Sequence, residues 1–291
     1  MVETIGSWGI TLQVKRLTSK PSTRGLLQYK DETFARKNPR CERGTCSHFI
    51  LVKEFQYVAP PLQPWPSDLE TSTLLKAQSL HFLAAPDNLM KHVTSISSIR
   101  KENDLQGQSL IVWEPAPLSC NKEHLESHLQ ACQFVDVFSP NHLELEALVH
   151  GKPDVASSFS RKLIEGYAQA FLNTGIGPEG RGAIVARCGE HGCLTMTRDE
   201  AFWLPSFYAA ASPQVVDMTG AGNAFLGGFT VGLQTTNDLR EAAILGTVAA
   251  SFALEQIGLP QYRAASSPPA ETWNGSGVAS RIVEFKDRLQ I

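Results

Sequence analysis

No stretch of this 291-residue chain approaches the ~18 consecutive apolar residues a membrane-spanning helix needs; polar residues break every apolar run well before that. The start, Met1 to Gly6, lacks the charged-then-apolar order of a secretory leader. Excess positive charge is also missing: Lys and Arg total 26 against 29 Asp and Glu, a formal net charge of −3, and neither half is strongly basic. A nucleic-acid-binding face would show as a basic stripe, so no nucleic-acid partner is expected, and no membrane. Cysteine is sparse. The six are scattered, with Cys41/Cys46 and Cys188/Cys193 at Cys-x₄-Cys spacing. Zinc sites usually show tighter, repeated spacing, so these read as reduced thiols of a cytoplasmic protein. The sequon Asn274-Gly-Ser276 carries little weight in that setting.

What is present is ordinary globular material, 42% hydrophobic and 19% charged. Residues 1–66 read as a remnant of amino-terminal or lid strands, with candidate strands at Gly25–Tyr29 and Phe49–Val52. Pro60, Pro61, Pro64 and Pro66 then mark a loop, and Ser67–Glu70 is placed to cap a helix. From there strands and helices alternate. Strands are expected at 79–84, 109–113, 135–138 and 182–186, helices at 87–101, 121–132, 142–150 and 157–173. A hairpin at 193–197 and 200–204, a short strand at Val215-Val216, and apolar helices at 220–234 and 240–256 follow. The Ser/Pro/Gly-rich stretch 261–277 reads as a loop before a last helix at 278–289. Such alternation implies right-handed βαβ crossovers and a mostly parallel sheet covered on both faces, with 67–291 as the α/β core. His81 is expected as a hydrogen-bonded core residue and Trp113 under the sheet edge. His124 and His128 are expected on a solvated helix face, and His142 at a phosphate or at the surface.

The chemistry concentrates in Asp217-Met-Thr-Gly-Ala-Gly-Asn-Ala-Phe-Leu-Gly-Gly228, expected to open a buried apolar helix. Gly220 and Gly222 let backbone amides crowd together at a helix start, which makes a cradle for a phosphate. A dinucleotide fingerprint would need glycine where Phe225 stands, and a phosphate-binding Gly-Lys-Ser/Thr loop would need a lysine that is absent. A glycine-rich turn without a ligand stays open as an alternative on this segment alone. Asn141 and Glu144 in Ser139-Pro-Asn-His-Leu-Glu144 read by themselves as a helix capping box.

Together these segments resemble the PfkB (ribokinase-like) carbohydrate-kinase family. Asp217–Asn223 is similar to its carboxy-terminal signature D-T-x-G-A-G-D, and Pro140–Glu144 to its P-N-x-x-E motif. Arg187–Gly192 resembles the loop along the ATP phosphates, Glu114–Pro117 a strand end written D-P-N-x, and 241–258 the helix beside the adenine. The likeness runs from about residue 70 to 258. It implies a three-layer α/β/α sandwich with a mostly parallel central sheet and a reduced β lid. It implies ATP and Mg²⁺ as cofactors and a sugar or other small alcohol as acceptor. Gly220, Ala221 and Gly222 would form the anion hole. Asn141, Glu144, Gly189, Gly192, Asp217, Thr219 and Thr247 would bind the nucleotide, with Glu144 and Asn141 holding Mg²⁺ through water.

Two departures bear on activity. The family's aspartate base is replaced by Asn223, which orients a hydroxyl but cannot take its proton at neutral pH. The family's first strand and sugar-contacting Gly-Gly segment are not found before Thr23-Arg24-Gly25. A fungal branch of the family, typified by the killer-virus maintenance protein, is similar in carrying asparagine after the glycines. It also shares His81-Phe82 and a tail like Glu271–Gly275 with Arg281. The expectation is a nucleotide-binding, kinase-like protein that is catalytically weak. The alternative is an active ATP-dependent phosphotransferase, on a sugar or within a biosynthetic pathway. Oligomeric state is not legible.

Overall fold

The computed structural model describes residues 2–14, 17–21, 25–29, 53–59, 62–151, 159–209, 211–264 and 271–291. At its centre six strands pair in the order β3-β4-β5-β6-β7-β8. They are β3 (Ser79–Ala84), β4 (Leu110–Pro115), β5 (Val137–Phe138), β6 (Ala183–Arg187), β7 (Cys193–Met196) and β8 (Ala201–Leu204). The first four run parallel, while β7 and β8 add antiparallel at one edge. Before them lie a short helix α1 (Val2–Gly6) and an antiparallel hairpin of β1 (Gly25–Tyr29) with β2 (Lys53–Tyr57). The other strand expected in this region, Phe49–Val52, lies outside the described residues.

Strand alternation builds two cores. In β4, Ile111 and Trp113 face one side of the sheet and Val112 the other; Phe138 and Val137 in β5, and Ile184 and Val185 in β6, split the same way. The first face is covered by α2 (Pro86–Glu102), α3 (Leu125–Cys132), α4 (His142–His150) and α5 (Arg161–Thr174), through Leu89, Leu145, Leu148 and Phe171 among others. The second is covered by α6 (Ala221–Thr236), α7 (Leu239–Leu254) and α8 (Val278–Leu289), through Phe229, Val248 and Phe285. These are the three layers expected. Small residues bring α6 and α7 close: a Cβ on Gly228 would lie 2.7 Å from the Ala249 Cβ, and one on Gly232 would lie 2.8 Å from the Ala242 Cα.

Several local expectations are corrected. Ser67–Glu70 does not cap a later helix; Pro66–Leu69 is itself a 3₁₀ turn, and the Trp65 amide donates to Asp68. Val215-Val216 forms no strand, because the Val216 and Asp217 amides turn instead to the Leu254 carbonyl at the end of α7. The 261–277 stretch contains a small hairpin of β9 (Tyr262–Arg263) with β10 (Thr272–Trp273). His81 is exposed on β3, and His128 is fully buried against Trp113, where burial lowers its pKa to about 4. Trp113 is fully buried within the sheet, its Nε1–H donating to Ala84 O at 2.9 Å. No helix among the described residues is long and apolar enough to cross a membrane.

Candidate functional site

Because β3 to β6 are parallel, their carboxyl ends share one rim, the place where open α/β sheets receive ligands. Three charged side chains meet there. Glu114 ends the apolar run of β4, Arg187 ends β6, and Glu144 stands in the first turn of α4. Arg187 Nη2 lies 2.9 Å from Glu114 Oε1, 3.8 Å from Glu144 Oε2, and donates to Ser139 O at 3.0 Å. His81 Nε2 stands 3.3 Å from Glu114 Oε2 and helps hold that carboxylate's charge, although no hydrogen bond of good geometry reaches the buried oxygen. The Arg187 Nε is buried unpaired as well.

The backbone fixes this constellation. Arg187 N–H donates to Pro140 O at 3.0 Å, extending the β5–β6 ladder to Asn141. Asn141 then caps α4. Its Oδ1 accepts from Glu144 N–H at 2.9 Å, while Glu144 Oε2 accepts from Asn141 N–H at 2.8 Å. The capping box expected from sequence is therefore formed.

From the opposite face comes the amino end of α6. Gly220 sits at its cap, Ala224 N–H donates to Gly220 O at 2.9 Å, and the Gly222 and Asn223 amides precede any intrahelical acceptor. A Cβ on Gly222 would lie 2.5 Å from Arg187 Nη1, so the guanidinium rests directly against the glycine turn. The Asn223 side chain is exposed. Ahead of the helix, Asp217 Oδ1 accepts from Thr219 N–H at 3.0 Å and shapes the entry.

The two carboxylates titrate in opposite directions. Burial pushes Glu114 up, but His81 and Arg187 outweigh it and hold the carboxyl below its ordinary range. Burial drives Glu144 up to about 7, against the pull of Arg187 and the Asn141 amide and with a further push from Glu114. Glu144 thus keeps its proton in the folded chain up to about pH 7, while an unperturbed one releases it near 4.5. The native state binds more protons across that window, so this group makes stability fall as pH rises through it, by an amount on the order of 3 kcal/mol. Glu144→Gln, which keeps an acceptor for Asn141 N–H, is expected to remove that slope. Urea unfolding of both proteins at pH 5 and pH 8 checks it: buried His128 adds an opposite slope common to both, so a stability difference between wild type and variant that is the same at the two pH values would refute it.

The pfkB family carbohydrate kinase model matches residues 67–261. The chain belongs to the PfkB family. It is 32% identical over 249 residues to an uncharacterized protein of Schizosaccharomyces pombe, covering 81% of this chain and 66% of that protein. It is 26% identical over 304 residues to the Saccharomyces cerevisiae protein MAK32, covering 100% of this chain and 74% of the relative. Both are fungal, as the branch resemblance implied, and the chain spans two thirds to three quarters of their length. Among solved structures, a Giardia lamblia ribokinase superposes with a TM-score of 0.61 at 17% identity, covering 99% of this chain and 77% of its own. An Arabidopsis thaliana ribokinase complexed with ribose and ATP gives 0.53 at 16% identity, covering 82% and 65%. The fold is ribokinase-like, and the protein is kinase-like by family.

Within that frame, Asn141, Glu144 and Gly222 lie beside Arg187, Gly220, Ala221 and Asn223 share the turn of Gly222, and Asp217 and Thr219 lead into α6. Gly189 and Gly192 flank a 3₁₀ turn just after Arg187. Thr247 is buried in α7, its hydroxyl donating to Ala243 O at 2.8 Å, and it lies against Cys193, the β7 residue paired with Arg187. Glu114 and Arg187 stand 73 positions apart in the sequence, each inside a longer segment, and no spacing pairs them. The available signal was a charged residue closing each of two apolar runs, Leu-Ile-Val-Trp-Glu114 and Ala-Ile-Val-Ala-Arg187. For a Mg²⁺ ion coordinated directly by Asn141 Oδ1 and Glu144 Oε2, rather than through water, the arrangement does not fit. Each side chain already serves the other's backbone amide, and a guanidinium lies against the carboxylate. Among the described residues no group of three or more His, Cys, Asp or Glu is placed to hold a metal.

Proposed function

We propose that this chain binds ATP on the carboxyl rim of its sheet and acts as a kinase-like protein of weak phosphotransfer activity toward a sugar or other small alcohol. The observation that carries the reading is the amino end of α6. There the amides of Gly222 and Asn223 precede any helical acceptor and stand beside the Arg187 cation. Oriented amides at a helix start favour phosphate, and in a transfer reaction they stabilise charge on the moving phosphoryl group. Asn223, exposed at that turn, is positioned by the motif to orient an acceptor hydroxyl without taking its proton. The family match and the ATP-complexed neighbour of like fold support the same reading.

The test is calorimetric titration of ATP into the wild type and into Gly222→Val. A side chain at 222 collides with the Arg187 guanidinium and fills the turn. Binding weaker by at least about tenfold is expected. Unchanged affinity would place the nucleotide elsewhere and sink the assignment.

A further inference from the structure

The proposed nucleotide site contains its own cation. Arg187 lies between the two carboxylates of the rim, 2.9 Å from Glu114 and 3.8 Å from Glu144, and its other terminal nitrogen abuts Gly222. The Ser139 carbonyl fixes one guanidinium nitrogen at 3.0 Å, and both carboxylates and the arginine are nearly enclosed. Acidic side chains that meet without a counter-ion favour a divalent metal. Here the counter-ion is built in, and a metal ion between them would sit beside a like charge.

Hydrogen-bonding capacity in this cluster is also left over. The Arg187 Nε is a buried donor with no hydrogen-bond partner, whereas the Glu114 oxygen beside it already has His81 Nε2 at 3.3 Å. Buried groups of this kind are normally satisfied by a water or a ligand. A planar guanidinium is suited to phosphate oxygens, which it meets with paired N–H donors.

We propose that Arg187, seated between Glu114 and Glu144, is the resident cation of this site, and that the nucleotide phosphates bind against it without a metal. This inference rests on the nucleotide reading above and departs from the Mg²⁺ that the family resemblance implied. Arg187 acts as a binding and positioning residue, and its readout is the metal dependence of affinity rather than turnover.

The experiment titrates ATP into the wild-type chain in EDTA and again in excess Mg²⁺, by calorimetry, with Arg187→Gln alongside. The two wild-type affinities are expected to agree within about threefold. Arg187→Gln is expected to bind at least about tenfold more weakly in EDTA and to recover when Mg²⁺ is added. Wild-type binding that needs Mg²⁺ overturns this inference and leaves the nucleotide site standing, as does a glutamine variant unaffected in EDTA. No binding in either buffer overturns both. A second measurement needs no variant, in case Arg187→Gln fails to fold: Mn²⁺ titrated into the wild type without nucleotide. No stoichiometric site is expected, and a site that binds Mn²⁺ at the rim and is lost in Glu144→Gln overturns the proposal.

Discussion

Asn223→Asp is expected to raise ADP formation from ATP in the presence of an alcohol acceptor by about 10²–10⁴-fold over wild type, the usual contribution of a positioned general base. Position 223 lies in the first turn of α6, three residues past its Gly220 cap, and its side chain is exposed. A carboxylate there is favoured by the helix dipole and displaces no packed neighbour, so the substitution adds chemistry without disturbing the fold. The amide cradle and Arg187 are untouched by it. An amide leaves the proton of an attacking hydroxyl with nowhere to go but solvent or the phosphate itself. An aspartate near its ordinary pKa would accept that proton as the phosphoryl group transfers. The measurement is a coupled ADP assay of both proteins across a panel of sugars and polyols. A variant that binds ATP yet gains nothing with any acceptor would mean that no hydroxyl is delivered to position 223. The protein would then be a nucleotide-binding module whose readout lies in partners rather than in product.

How much of this was legible in the chain depends on whether the physics was local. The alternation Ile111-Val112-Trp113 and the run Ala183–Ala186 announce strands buried on both faces, and they occur where expected. The Asn141/Glu144 capping box needs only i and i+3, and it formed with both reciprocal bonds. What failed was decided by partners far along the chain. Val215-Val216 has strand-forming residues, but its amides are claimed by Leu254, and Val216 stays exposed. His128 shares a helix with polar neighbours, yet its ring is drawn under the sheet by Trp113 and held by the His124 carbonyl at 2.7 Å. The Glu271–Gly275 tail was noted only as a likeness. Its reason is the end of α7, where Asn274 donates to Phe252 O at 3.0 Å, and Arg281 pairs with Glu255 at 2.6 Å and with Ser251 Oγ at 2.8 Å. The site divides the same way. Its glycine turn is contiguous and readable, whereas the Glu114–Arg187–Glu144 triad is assembled from two strand ends and a helix and has no spacing to read.

Two glycines of one loop should respond very unequally to alanine, and the contrast separates architecture from ligand contact. Gly192 starts the turn into β7 at φ 86, ψ −139, where a Cβ would lie 1.9 Å from the Leu204 carbonyl oxygen and 2.7 Å from the Pro205 carbonyl carbon. Both obstacles are backbone, held by the β7–β8 ladder at Cys193↔Leu204, and neither can swing aside. Steric overlap and a glycine-only conformation together cost about 4 kcal/mol or more, a large share of the ~5–15 kcal/mol that holds a domain folded. Gly192→Ala is therefore expected to lower the melting temperature by about 10 °C or more, or to yield no soluble protein. Gly189 has φ 56 and open space around its missing Cβ, so Gly189→Ala is expected to cost only ~1–2 kcal/mol and to fold. Thermal melts of the two variants decide it, and equal losses would refute the contrast. The consequence for function is direct. Gly192 is glycine because two strands close over it, so its loss says nothing about nucleotide. Gly189 is exposed beside the rim, and a fall in ATP affinity in a folded Gly189→Ala variant would be a ligand effect carried by the loop that follows Arg187.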